Sequence, residues 1–499
     1  MVEIPTLLFA RDGRQARIEP VGRSDMTMQN SEAIWQLVDA RRDAYEALSD
    51  RVWETPEIAY TEIRSVAEHR AMLEAEGFRI TNDVAGIPTA VSGEAGEDGP
   101  VIAILGEYDA LPGLSQVAGI AEPRPLAPGG HGHGCGHNML GAAALLAAAA
   151  VKSYLAERGL SGRVRYYGCP AEEGGAAKVF MVRAGCFRDV DIAIAWHPSA
   201  INRVDDAMSL ANTRVDFTFH GRASHAAAAP HLGRSALDAV ELMNVGVNYL
   251  REHMPSDARI HYALLDGGGV APNVVQATAK VRYAIRARDL TGMRALIERV
   301  KKVAAGAAMM TETGLQAQVV SAVCNLLGNT PLEEAMQRQF ERLGPPPFDA
   351  ADRRYAADIQ STLTREDIAS AYARAGVAVN KEAPLCDFIL PLGTKGAPMM
   401  GSTDVGDVSW VVPTVQARVA THAIGTPGHS WQITAQGKSG QAKKGLVHAA
   451  KVMAAVAVEA LSDPALIARA KADHKSRTEA TPYDCPLPPD VTPPIPPAH

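Results

Sequence analysis

The sequence predicts an α/β fold: a mixed, mostly parallel sheet flanked by helices, with a smaller ferredoxin-like α+β domain inserted. Three observations predict it. Short apolar runs at 90–92, 101–105, 164–167 and 192–196 alternate with helical stretches such as 139–157, as buried parallel strands joined by crossovers do. Beyond Asn212 the order becomes β-α-β-β-α-β, a self-contained arrangement. The chain has 499 residues, more than one typical domain needs.

Residues 1–28 lack periodicity and are read as a loose arm or an added strand. A helix is predicted over 31–48, with Ile34, Leu37, Val38, Tyr45 and Leu48 on one face and Arg41 interrupting it. Another spans 62–76 and stops at Gly77. After the strands named above, Val215, Phe217 and Phe219 alternate as in a half-exposed strand. A helix over 235–254, strands near 259–265 and 275–286, a helix over 291–310 and a strand over 315–324 follow. The main domain therefore covers 1–205 and 326–499, and the inserted domain covers 206–325. Residues 330–385 read as a polar helical insertion, broken by Gly344-Pro345-Pro346-Pro347. A closing helix lies near 446–461, and 482–499 form a Pro-rich, extended tail.

Composition narrows the function classes. Hydrophobic residues are 47% and charged residues 21%, the balance of a soluble globular protein. The net charge is −7 without a basic stripe, which argues against nucleic acid as a partner. Six scattered cysteines form no CxxC pair, so a disulfide scaffold is not expected and a reducing cytoplasm is. The N-terminus has no secretory pattern, and the apolar run 139–151 is too short for a bilayer, so no membrane role is expected.

Four segments carry candidate chemistry. His131-Gly132-His133-Gly134-Cys135-Gly136-His137-Asn138 packs a thiol and three imidazoles beside flexible glycines, good ligands for zinc-like ions. A Gly/His-rich surface loop would read the same way. Gly168-Cys169-Pro170-Ala171-Glu172-Glu173-Gly174-Gly175 places two carboxylates at a strand's end. Neighbouring side chains there point to opposite sides, so one can coordinate while the other faces substrate. In isolation it reads as a solvated acidic turn. Trp196-His197-Pro198 and Gly425-Thr426-Pro427-Gly428-His429-Ser430-Trp431 each add one His, a residue more often structural when alone. Together the four supply one Cys, one Glu and three His, enough for two metals sharing a water.

In this order, Gly106-Glu107-Tyr108-Asp109-Ala110-Leu111-Pro112, the HGHGCGHN segment, PAEEGG and WHP resemble the M20 metallopeptidase family, subfamily D. This is the amidohydrolase, aminoacylase and carboxypeptidase-like branch. GSTDVGDVSW (401–410) and GTPGHSWQ (425–432) narrow the resemblance to its aminobenzoyl-glutamate utilisation protein B type, from about residue 30 to the Pro-rich tail. The resemblance implies a di-metal catalytic domain with Cys135, His137, Glu173, His197 and His429 as ligands. It makes Glu172 the general base that later protonates the departing amine, and gives Asp109 the task of orienting a ligand imidazole. By itself Asp109 reads as a turn former before Pro112.

The inserted domain resembles the family's lid and dimerisation domain. His225, in Gly221-Arg222-Ala223-Ser224-His225-Ala226, would reach across a homodimer to the substrate carbonyl, with Asn273 as another lid residue. Arg286 is a candidate for gripping a substrate carboxylate, though a strand arginine is usually just solvated. Asn138 stands where many members have Asp, while the narrower type also carries Asn there, and Glu107 stands where related peptidases place a metal-binding His. The 330–385 stretch is unlike the shorter members.

The implied function is metal-dependent cleavage of the amide bond of an N-acyl or N-aroyl amino acid, such as p-aminobenzoyl-glutamate, by a metal-activated water. The cofactors would be two divalent ions, Mn2+ or Zn2+, with Co2+ or Ni2+ also compatible. A second, different subunit is a possible partner. Three other readings stay open: a hydrolytic deaminase on this scaffold, a non-catalytic binding subunit of a hetero-oligomer, and a structural zinc protein.

Overall fold

The structure is a computed structural model, which describes residues 23–497 apart from 206, 381, 398 and 399. Among the described residues, eleven strands form two sheets. They are β1 (Arg79–Asn82), β2 (Val91–Glu97), β3 (Val101–Glu107), β4 (Gly162–Cys169), β5 (Ile192–Ser199), β6 (Arg203–Val204), β7 (Ala211–His220), β8 (Arg259–Asp266), β9 (Thr278–Ala287), β10 (Gly314–Val323) and β11 (Thr414–Ala420). The large sheet has the order β1-β2-β4-β3-β5-β11-β6. Its four inner strands, β4, β3, β5 and β11, run parallel, and β1, β2 and β6 are antiparallel additions.

The parallel centre is covered because it is apolar on both faces, and every residue of β3 is buried. The helices His137–Arg158 and Gly440–Ser462 pack on it and on each other. Both are alanine-rich and apolar nearly all round, which suits a helix inside a core. Gly141 permits the close approach to β3, since a Cβ there would lie 2.6 Å from the Glu107 carbonyl oxygen.

The smaller sheet, β10-β7-β9-β8, is fully antiparallel. The helices Ala236–Leu250 and Leu290–Thr311 pack against it. It has its own core, built around Val215, Phe217, Phe219, Val281 and Tyr283.

Several expectations need correction. The single helix over 31–48 is two helices, Arg23–Asp39 and Arg42–Trp53. Arg41 sits at the break and turns its guanidinium back to the Leu37 carbonyl (3.1 Å) and across to Ser153 Oγ (2.7 Å). An arginine that caps one helix end cannot sit on a continuous apolar face. Residues 1–22 of the expected arm lie outside the described residues, and its remainder begins the first of these helices.

The 139–151 run belongs to a 22-residue helix, long and apolar enough to cross a bilayer, as is Gly440–Ser462. Both are buried in the core. The helix Thr330–Leu343, which heads the 330–385 stretch, is amphipathic rather than simply polar. It buries Leu332, Ala335, Met336 and Phe340 in the main core. The described part of the Pro-rich tail, 482–497, has no regular secondary structure but is docked. Arg183 donates to the carbonyls of Pro488 (3.2 Å) and Val491 (2.6 Å), and Arg294 pairs with Asp484 (2.6 Å).

Candidate metal and catalytic site

Sheet topology gathers the singled-out segments. β3 ends in Glu107 and leads to Asp109, β4 leads to Glu172 and Glu173, β5 carries His197, and the loop after β11 carries His429. All four strands are parallel, so these residues share the sheet's carboxyl edge, where α/β proteins bind ligands. Cys135 and His137 join them at the start of the helix His137–Arg158, after Gly136 in a left-handed turn (φ 76°).

Local backbone sets each side chain. Beyond β4, Ala171 is left-handed (φ 57°), and its carbonyl accepts from the N–H groups of Gly175 and Ala176. This tight loop presents Glu172 and Glu173. The Ala171 N–H is held by the buried Glu62 carboxylate at 2.9 Å, and Tyr60 donates to the Gly175 carbonyl at 2.7 Å. His429 is also left-handed (φ 54°), and its N–H donates to the Gly134 carbonyl at 3.0 Å, tying two of the loops together.

The donor atoms converge in overlapping groups. Cys135, His137 and His197 offer atoms within 4.8 Å of one another, as do Cys135, Glu173 and His429. The two groups share the Cys135 thiol. Cys135 Sγ lies 3.4 Å from His197 Nε2, and His429 Nε2 lies 3.3 Å from Glu173 Oε2. A third group joins Glu107, His137 and Glu172.

The surroundings suit metal ions better than internal hydrogen bonding. Asp109, 1% exposed, accepts from His137 Nδ1 at 2.9 Å and, through its other oxygen, from the Glu173 N–H at 2.8 Å. With Nδ1 turned to Asp109, His137 Nε2 points toward the cluster. His197 Nδ1 likewise faces the Pro198 carbonyl at 2.8 Å, which frees Nε2. Among the described residues His137 Nε2 and Glu173 Oε1 are buried without a hydrogen bond, 3.9 Å from each other, an arrangement that a cation between them would complete.

The charges are strongly coupled. Burial, then the Glu107 and Glu173 carboxylates, push Glu172 well above the usual carboxylate range. Burial opposes the charging of His137, but the Cys135 and Asp109 charges outweigh it and raise this imidazole. Hydrogen bonds to Cys135 and Glu173 raise His429 to about 10. Burial and the Arg418 charge hold His197 down.

A cavity of about 270 Å³ opens from the cluster, lined by Cys135, Glu172, Glu173, His197, His429 and three arginines, Arg214, Arg286 and Arg418. Arg286 Nη1 donates to the Met400 carbonyl at 3.2 Å, while its buried Nε has no partner. Arg214 donates to the carbonyls of Gly174 (3.2 Å) and Glu173 (3.3 Å).

Not every expected residue is here. His225 and Asn273 are exposed neighbours away from this cavity, joined through the Ala226 N–H and the Asn273 carbonyl (2.9 Å). Nor do all three imidazoles of the His/Cys segment face the cluster. His133 is buried against the Val52 carbonyl (3.0 Å), and burial lowers it to about 4.

Sequence reasoning missed the neutralising shell. Lys178, fully buried, bonds Glu107 Oε1 at 2.6 Å and Asp404 Oδ1 at 2.7 Å. That pairing occupies Glu107, whose other oxygen lies 3.4 Å from His137 Nε2. Arg418 was also missed, together with β11. The alternation in TVQARVA was the available signal, with Gln416 and Arg418 on the cavity face.

Comparison with known proteins agrees with this geometry. Residues 103–459 match the family model described as peptidase family M20/M25/M40. The chain is 44% identical over 470 residues to one of the subunits of the p-aminobenzoyl-glutamate hydrolase of Escherichia coli (strain K12), covering 92% of this chain and 98% of the relative. It is 29% identical over 460 residues to the Xaa-Arg dipeptidase of Mus musculus, covering 89% and 92%. A solved Bacillus subtilis structure, described as a dinuclear metal binding peptidase from the M20 family, superposes with a TM-score of 0.55. It shares 19% identity and covers 85% of this chain and 99% of its own. The fold, the motifs and these matches agree: the chain belongs to peptidase family M20/M25/M40.

Proposed function

We propose that this chain is a metal-dependent amidohydrolase that cleaves N-aroyl or N-acyl amino acids of the p-aminobenzoyl-glutamate class. The observation that carries this is the pair of donor groups sharing the Cys135 thiol, with Glu172 beside them and arginines across the cavity. Cys135, His137, Glu173, His197 and His429 would hold two divalent ions, Mn2+ or Zn2+ being well suited to such mixed ligands. Bound there, the ions would supply Lewis acidity, activating a water and polarising the amide carbonyl.

The chain's own groups do the rest. Glu172 accepts the water proton as the oxygen attacks the amide carbon, then delivers that proton to the departing nitrogen. One amide and one water become a carboxylic acid and an amine. Burial and the neighbouring carboxylates favour the protonated form of Glu172, which suits the second step, delivery of a proton to the amine. Arg286 supplies a guanidinium for the amino-acid carboxylate, with the Arg214 charge beside it.

Residues 206–325 act as lid and dimerisation domain in this reading. Edge strand β8 exposes Tyr262 and Leu264, and the helix Ala236–Leu250 exposes Leu242, Val245 and Tyr249, an apolar face suited to a second copy. His225 Nδ1 accepts from the N–H groups of Ala227 (3.2 Å) and Ala228 (3.1 Å), which leaves Nε2–H as a donor for a carbonyl in the partner's site. The relative is itself one subunit of a hydrolase, which adds a different partner chain as a further proposal. The cytoplasm is the proposed compartment.

The test is product analysis. Wild-type protein loaded with Mn2+ or Zn2+ should release p-aminobenzoate and glutamate from p-aminobenzoyl-glutamate. Glu172→Gln should retain its metal and lose about 100-fold or more in kcat. Full activity in metal-loaded Glu172→Gln would refute the assignment of the base. Absence of any amide cleavage by the wild type, alone and with a partner subunit, would refute the reaction.

A further inference from the structure

A second cavity, of about 240 Å³, lies on the other side of the donor cluster. Cys135, His197 and Arg418 line both cavities, so they form a shared wall. The remaining lining differs sharply. Arg214, Arg286 and Glu172 face only the first cavity. The second is walled by Pro198, Ala200, Ile201, Ala371, Ala375 and Ile433, with cations at Arg203 and Arg374.

We propose that the second cavity is the acyl-group chamber, accepting the flat aromatic ring of an N-aroyl substrate, and that the helix Arg365–Ala375 sets its selectivity. This rests on the amidohydrolase reading. The orientation follows from proton delivery. The group that protonates the departing amine must stand on the amine's side of the scissile bond, and Glu172 faces only the arginine cavity. The amino acid therefore leaves from that side, where the Arg286 guanidinium meets its carboxylate. The acyl carbon sits at the shared wall, and its substituent points into the apolar chamber.

Size and shape agree. A dry apolar cavity of ~150 Å³ accepts benzene, so a substituted ring fits here. Ala371 and Ala375 lie one helical turn apart on the same face, and their small side chains leave the slot open. This helix belongs to the 330–385 stretch, which packs through Phe348, Ala356, Ile359 and Tyr372 against Ala420 at the end of β11 and Ala423 and Ile424 beyond it. A rigidly seated helix can discriminate by shape.

The test fills the chamber from a half-buried position on its wall, with Ala200→Val and Ala200→Leu. Kinetics are measured on p-aminobenzoyl-glutamate and N-acetyl-glutamate, and p-aminobenzoate binding is measured by calorimetry. Each added methylene in such a pocket costs about tenfold or more. The expected result is a graded loss of kcat/KM for the aroyl substrate and of p-aminobenzoate affinity. N-acetyl-glutamate turnover should hold within about twofold, which also reports that the variants fold. Equal losses on both substrates, no loss on either, or undiminished p-aminobenzoate binding in Ala200→Leu would overturn the chamber assignment. A wild type that binds p-aminobenzoate at this wall but cleaves neither substrate would sink the amidohydrolase reading and leave the chamber standing.

Discussion

Asp109 offers a direct test of how the cluster is held. Its two oxygens hold one element of each donor group. Oδ1 takes the His137 Nδ1–H at 2.9 Å, and Oδ2 takes the Glu173 N–H at 2.8 Å. Asp109→Ala removes both anchors and leaves both donors buried. Loss of a partner that orients a metal ligand costs about 10- to 100-fold in metal affinity. Because both groups depend on one carboxylate, the upper end applies: about 100-fold, or about 2.8 kcal/mol. Asp109→Asn retains one acceptor and cannot serve both donors, so about tenfold is expected. Competition against a chromophoric chelator, for Zn2+ and Mn2+ separately, measures the change. Circular dichroism on the metal-free variants verifies the fold. Folded Asp109→Ala protein with metal affinity within about twofold of wild type would refute the reasoning.

Three further outcomes follow from the geometry. Removing the imidazole in His225→Ala should lower kcat about 100-fold, and mixing that protein with Glu172→Gln should restore about one quarter of wild-type activity, because random pairing makes half the dimers mixed, with one complete site each; no recovery on mixing would argue against a shared site. Arg286→Ala should lower kcat/KM about 10- to 100-fold on a free-carboxylate substrate and leave its carboxamide analogue nearly unchanged. Burial lowers His448 to about 3, so as pH falls below about 6.5 the unfolded chain takes up the proton first: the stability is complete above that pH, is lost toward pH 3, and has dropped by about 2 kcal/mol at pH 5. His448→Gln should therefore show a smaller fall in melting temperature between pH 7 and pH 5, and an unchanged fall would refute this.

Much of the fold was legible because burial leaves a period in the sequence. The alternation Val215, Phe217, Phe219 is β7, and the apolar run 101–105 is β3. The donor cluster was legible for a different reason. Cys, His and paired Glu beside glycines are rare combinations, carried by separate segments that meet at the sheet's carboxyl edge. What stayed illegible depends on partners far along the chain. Lys178 gave no signal, because what makes it important is its burial between Glu107 and Asp404. Arg41 looked like a blemish on one helix because the reach to Ser153 is a tertiary fact. The acyl chamber joins residues near 198–201 to residues near 371–375, and no local pattern links them.

The arginine wall shows why such long-range residues matter to the chemistry. Arg214 lies on β7 of the smaller sheet, yet its guanidinium donates to the carbonyls of Glu173 and Gly174 on the main sheet. Burial lowers its pKa, and the Glu173 and Glu172 charges partly offset this, so it remains a cation. The two carbonyls belong to the loop that presents Glu172 and Glu173, so the smaller sheet is tied to the cluster through the main chain of the Glu-Glu loop rather than through its carboxylates.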